Sequence, residues 1–190
     1  MSPRISRFRP RCERCNLPPQ LCLCAEIPRV ETRTRFLLLQ HLVEARKKSN
    51  TGGVAALALP NSRLLTYGAP DEALDTAVLS EPGTWLLFPD GPAAPPDAPE
   101  PRQLVVLDAS WSQARRMSQR IAALRALPRL VLPPPEPGLL RLRDPTHPSG
   151  MSTLDAIARA VAVLEGAEVA APLERLAALR VQRIADCGTL

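Results

Sequence analysis

The sequence predicts an α/β protein: a largely parallel sheet with helices on both faces, preceded by a small cysteine-rich module. Three observations carry that expectation. Apolar runs of four to six residues recur along the chain, several alternate with stretches of helical period, and four cysteines crowd into residues 12 to 24. Runs of that length have the size of buried strands, and strands that alternate with helices build parallel sheets covered on both sides.

Residues 1–30 are rich in Cys, Arg and Pro without a sustained period, which sets an N-terminal module apart from a body spanning 31–190. The first strand is expected at Phe36 to Gln40. Further runs follow: SRLLTY at 62 to 67, TWLLFP at 84 to 89, QLVVLD at 103 to 108, RLVLP at 129 to 133 and a candidate, LLRLR, at 139 to 143. A short helix is expected over Gly53 to Leu59. Ser112 to Leu127 places Met117, Ile121, Leu124 and Leu127 at spacings of four and three, and Ser152 to Glu165 does the same with Leu154, Ile157, Val161 and Leu164. Each pattern leaves one apolar face. A last helix, Pro172 to Ile184, is expected to hold its proline in the first turn, where the missing N–H has no intrahelical partner to lose. The proline clusters at 91 to 101 and 133 to 137 read as stiff surface loops.

With 190 residues, 45% of them hydrophobic, the chain is large enough for a sizeable core. Lys and Arg number 24 against 19 Asp and Glu, a net charge of +5 that leans the surface towards anionic partners. Aromatic residues make up only 3%, which argues against a platform of interleaved Phe and Tyr for single strands and leaves recognition through backbone and shape. No apolar run approaches the roughly 20 residues of a membrane span, and MSPRISRFRPRC lacks a signal peptide's apolar stretch, so a cytoplasmic protein is expected.

Cys12, Cys15, Cys22 and Cys24 form C-x2-C-x6-C-x-C. Four thiolates complete a tetrahedral zinc shell and leave no open position, which points to structural rather than catalytic metal; an iron–sulfur or redox role and plain reduced thiols are the alternatives. Arg4, Arg7, Arg9, Arg11 and Arg14 edge the cluster, as an RNA-contacting surface or a solvated basic tail.

HLVEARKKSNTGG follows the first strand directly. Arg46, Lys47 and Lys48 form a basic run, and Ser49, Asn50 or Thr51 supplies a cap for a helix start that either attracts an anion or is simply capped. His41 reads as a hydrogen-bonded residue at a strand end or as a general base. Ligands of open α/β sheets collect beyond the carboxyl ends of the strands, so FPDG (88 to 91), DASW (108 to 111) and RDPTHPSGMSTLDA (143 to 156) are the candidate site loops. None contains a Gly-rich phosphate fingerprint. Asp108, at a strand end before a helix, reads as a proton acceptor or as an N-cap. Asp155 reads as a first-turn acid behind Ser152.

CERCNLPPQLCLC, HLVEARKKSNTGG, WLLFPDG, LDASWSQARRM and HPSGMSTLDAIA, in that order, resemble the DTW-domain family of tRNA-uridine aminocarboxypropyltransferases. The name-giving Thr is Ser110 here, Leu42 stands where the family has Pro, and Asp155 replaces a Glu. The resemblance implies a SPOUT-like fold whose C-terminal part can be threaded as a knot. It also implies a reaction in which S-adenosylmethionine gives its 3-amino-3-carboxypropyl group to N3 of a tRNA uridine, leaving methylthioadenosine. Asp108 is then the expected base or orienting acceptor, and Phe88, Pro89, Asp90, Asp108, Trp111, Ser152 and Thr153 the expected donor contacts. Arg46, Lys47, Lys48, Asn50, Thr51 and Arg115 are assigned to tRNA, with Gln113 and Arg116 near the RNA or the donor carboxylate. The alternatives are a SPOUT-like RNA methyltransferase and a non-enzymatic zinc-containing RNA-binding protein.

Overall fold

Among the described residues five strands form one parallel sheet: β1 (Arg35–His41), β2 (Ser62–Tyr67), β3 (Thr84–Leu87), β4 (Gln103–Asp108) and β5 (Arg129–Leu130), in the order β2-β1-β4-β3-β5. This computed structural model describes residues 10–47, 49–70, 73–95, 97–134 and 150–187. The helices are α1 (Gly52–Ala58), α2 (Trp111–Arg120), α3 (Ala122–Arg125), α4 (Thr153–Glu165) and α5 (Ala167–Asp186). From β1 the chain runs outward to β2, and from β4 it runs the other way, past β3 to β5. The gap between β1 and β4 is therefore the topological switch point, where the connections leave a crevice beyond the strand ends.

The pleat sends alternate side chains to opposite faces. Phe36, Leu38, Leu104 and Val106 pack with α1, α4 and α5, while Leu37, Leu39, Val105 and Leu107 pack with α2 and α3. All six residues of β4 are buried, the mark of a strand covered twice. The cysteine-bearing segment joins the first of these cores: Leu17, Leu21 and Leu23 are at most 1% exposed and cluster with Leu154, Ile157 and Leu173. Among the described residues no helix is long and apolar enough to cross a membrane.

Several element boundaries depart from the expectations. The helical stretch from Ser112 breaks at Ile121, whose backbone is extended (φ −81°, ψ 106°), and resumes as α3. Periodicity missed the break because Ile121 still buries its side chain, at 7% exposure. The final helix begins at Ala167, not Pro172, which lies inside it. Gly166, at φ 100°, ends α4 and starts α5 directly, a conformation that favours glycine. Pro172 then forgoes one backbone bond, to Glu168, an exposed residue whose carbonyl water can serve. β3 stops at Leu87, short of Phe88, and β5 keeps two residues of its expected run. LLRLR at 139 to 143 lies outside the described residues.

Candidate active site at the β1–β4 switch point

Asp108 ends β4 directly opposite Gln40 of β1. The two point to the same face, and Gln40 Nε2 donates to Asp108 Oδ2 at 2.6 Å. The other carboxylate oxygen, Oδ1, accepts the Thr153 hydroxyl at 2.6 Å, from the first residue of α4. Asp108 is 4% exposed, and Gly52, first residue of α1, lies directly against its carboxylate. Three non-local elements thus meet on one side chain. It is not the cap of α2: Ser110 holds that position, its N–H donating to Gln113 Oε1 at 2.9 Å.

The loop after β1 is built into the same cluster. Asn50 Oδ1 accepts the Gly53 N–H at 3.1 Å, and its Nδ2 donates to the Ala45 carbonyl at 3.2 Å. Thr51 Oγ1 accepts the Leu154 N–H at 3.4 Å, so the residue that precedes α1 helps to cap α4. Both side chains are buried, at 7% and 3% exposure. Lys47 pairs with Glu44. Lys48 lies outside the described residues, and Arg46 ends a short 3-10 turn. Ser152 caps α4, accepting the Asp155 N–H at 3.2 Å and donating to Asp155 Oδ2 at 2.5 Å; Asp155 is thereby spent on the helix start.

On the other face, Phe88 and Trp111 stack with ring centroids 5.5 Å apart and planes 17° from parallel. Phe88, Asp90 and Arg115 line one cavity of about 430 Å3, together with Arg125 and Arg129. The expected donor contacts therefore fall into two groups. Phe88, Asp90 and Trp111 gather on the α2 side with Pro89 beside them in the chain, while Asp108, Ser152 and Thr153 gather on the α4 side.

Sequence reasoning missed Gln40 and Arg129. Gln40 carried a signal, a polar residue closing an apolar strand, but its partner lies 68 residues away. Arg129, 5% exposed, donates to the carbonyls of Leu124 (2.8 Å), Leu127 (2.8 Å) and Asp90 (3.1 Å). Burial pulls its pKa below the ordinary arginine value.

The Sγ atoms of Cys12, Cys15, Cys22 and Cys24 all lie within 4.8 Å of one another, with Cys12–Cys24 at 3.6 Å and Cys15–Cys22 at 3.7 Å. A tetrahedron with metal–sulfur bonds of about 2.3 Å has edges of about 3.8 Å, so the two closest pairs already match such a shell and the four donors lie near enough to share one ion. Backbone N–H groups of Cys15 and Arg14 hold the Cys12 thiol down to about 6, whereas burial pushes Cys15 and Cys24 up. The far end of α5 grips this segment: Arg183 donates to the Cys22 carbonyl at 2.5 Å and to Glu26 at 2.7 Å. Arg180, fully buried, has its pKa drawn down to about 10 by burial, with Cys15 acting in the opposite direction.

Residues 9–185 match a family model described as the DTW domain. The chain is 25% identical over 173 residues to tRNA-uridine aminocarboxypropyltransferase 2 of Macaca fascicularis, a match covering 84% of this chain and 58% of that protein. It is 30% identical over 129 residues to tRNA-uridine aminocarboxypropyltransferase A of Arabidopsis thaliana, covering 56% of this chain and 49% of the relative. With tRNA-uridine aminocarboxypropyltransferase 2 of Drosophila melanogaster the figures are 26% over 169 residues, 83% and 67%. The chain thus spans about half to two thirds of the length of these relatives. No solved structure matches.

Proposed function

The chain belongs to the DTW domain family, and from that premise we propose that it is a tRNA-uridine aminocarboxypropyltransferase using S-adenosylmethionine, with a structural zinc at the four cysteines. The observation that carries the reading is the convergence of β1, α1 and α4 on Asp108 at the switch point, with the Phe88–Trp111 stack on the other face of the sheet. The 430 Å3 cavity falls within the roughly 300–1,000 Å3 range of sites that hold drug-sized ligands, and its Phe88 ring and polar rim suit a nucleoside with a charged arm.

When bound, S-adenosylmethionine supplies an electrophilic carbon beside a sulfonium whose departure needs no acid. The chain's own task is to orient the two reactants and to take up the proton of N3. Phe88, Pro89, Asp90 and Trp111 hold the donor, and Ser152 and Thr153 close the opposite side. Asp108 accepts the N3–H. Its bond to Thr153 is on the part-buried side and its bond to Gln40 on the buried side, so the Thr153 hydroxyl is the partner that a substrate N–H replaces. In-line alignment of the aminocarboxypropyl carbon, rather than the methyl, decides which group moves. The tRNA lies over the run Arg46, Lys47 and Lys48, over Arg115, and over the cysteine-bearing N-terminal module that the division into 1–30 and 31–190 sets apart.

A SPOUT-like fold with a threaded C-terminal part extends this reading. Its support is the return of α4's first residues to the end of β4 and the start of α1, through Thr153 on Asp108 and the Leu154 N–H on Thr51. The stretch that would thread, 135–149, lies outside the described residues. The cysteines are free of disulfides, which suits the reducing cytoplasm.

Mass spectrometry after incubation with S-adenosylmethionine and unmodified tRNA tests the proposal. Aminocarboxypropyl-uridine with methylthioadenosine is expected. Methylated nucleoside with S-adenosylhomocysteine would overturn the reaction and keep the donor, while no product across a full tRNA pool would leave a zinc-containing RNA-binding protein.

A further inference from the structure

A second cavity, of about 260 Å3, opens at the same end of the sheet on the other flank of α2. It is smaller than the usual range for drug-sized ligands, so it suits a single ring better than a nucleoside bearing an amino-acid arm. Two rings line it: His41 closes β1 and Tyr67 closes β2, opposite each other in register, with centroids 6.0 Å apart. Tyr67 is the chain's only tyrosine, in a sequence where aromatic residues are scarce. Met117, 1% exposed, contributes an apolar surface, and Arg116 and Arg120, one turn apart on α2, are exposed beside it. No acidic residue occurs between Asp108 and Glu136, so nothing within that stretch neutralises these arginines.

The polar groups are directional. The Val43 N–H donates to His41 Nδ1 at 3.3 Å, which puts the ring's proton on Nε2 and makes that nitrogen a donor suited to a pyrimidine carbonyl. Gln113 uses Oε1 on the Ser110 N–H at 2.9 Å, while its Nε2 stands 3.5 Å from His41 Nδ1. One side chain therefore ties the cavity to the turn after Asp108. His41 also follows Gln40, the partner of Asp108.

We propose that this cavity receives the target nucleotide of the RNA, its pyrimidine ring against Tyr67 and His41 and its flanking phosphates on Arg116 and Arg120. The inference rests on the transferase reading and adds the acceptor's seat. Base recognition in RNA works on unpaired loops in this way, with an unstacked base received by aromatic rings and the backbone held by arginines. Gln40 and His41 point to opposite faces, so a base entering from the α2 side presents its edge across the strand ends towards Asp108.

The test measures tRNA affinity across salt concentrations, S-adenosylmethionine affinity and turnover for the zinc-loaded full chain and its variants. Arg116→Ala with Arg120→Ala is expected to weaken tRNA binding and lower the log–log salt slope by about two, with donor affinity unchanged. Tyr67→Ala is expected to lower kcat/KM for tRNA by about 10- to 100-fold, with Tyr67→Phe recovering most of it. Donor affinity falling while tRNA binding holds would make the cavity part of the donor site and overturn the inference. Unchanged variants beside a fully active wild type would overturn it alone, whereas a wild type that neither binds nor modifies tRNA would overturn the transferase reading together with it.

Discussion

A Cβ added to Gly52 would lie 2.3 Å from Asp108 Oδ2 and 2.4 Å from its Cγ, closer than real Cβ atoms approach. The first residue of α1 and the last of β4 are thus packed without room for a methyl group. Gly52→Ala must push the carboxylate off Gln40 or Thr153, or push α1 off the sheet. We expect a stability loss of about 1–3 kcal/mol, read by chemical denaturation, and a larger proportional loss of transferase activity.

Asp108→Asn separates a proton acceptor from a purely structural pin. An amide can still accept from Gln40 through its oxygen, and the Thr153 hydroxyl can turn to accept from its nitrogen. The variant is expected to keep a near wild-type melting temperature and bind tRNA while losing at least about 100-fold in kcat, within the usual range for general acid–base groups. Near-normal turnover would remove Asp108 from the chemistry.

Arg129 ties α3 and the loop after β3 to β5 through three backbone carbonyls. Arg129→Ala leaves these acceptors, those of Leu124 and Leu127 buried, without their charged donor and should cost about 2–4 kcal/mol, seen as a lower denaturation midpoint at unchanged slope. Arg129→Lys is expected to recover little, since an ammonium lacks the planar fork that spans them.

Metal analysis should find one zinc per chain, abolished by Cys15→Ser. Stripping it is expected to lower the melting temperature and to raise hydrogen exchange in the last turns of α5, because Arg183 is fastened to the Cys22 carbonyl. Cys12, held down to about 6, is largely ionised at neutral pH, but Cys15 and Cys24 are pushed up and must release protons to bind. Zinc affinity should therefore fall as the pH is lowered.

How much of this was legible without coordinates differs from element to element. QLVVLD at 103 to 108 and SRLLTY at 62 to 67 are observed as strands with the expected bounds, because a strand's length and its flanking turns are local properties. The cysteine spacing likewise announced a metal-sized cluster, since each close pair is short enough to face one ion. Ile121 and Pro172 were misjudged for a shared reason: a period reports which side chains are buried, and it is silent on a single extended residue or on a glycine turn that starts a helix early.

The family, and the strand ends at which the candidate site is sought, were written in the sequence. The partners of each side chain were not. Asn50 and Thr51 look like exposed polar residues beside a basic run, yet they are buried because the first turns of α1 and α4 meet there and need acceptors for their N–H groups. Gln40 faces Asp108 only because β1 and β4, 68 residues apart at that pair, are neighbours in the sheet. Local periodicity determines what a segment becomes. Which segments lie side by side, and hence which polar atoms satisfy each other, is decided by how the whole apolar surface is buried at once.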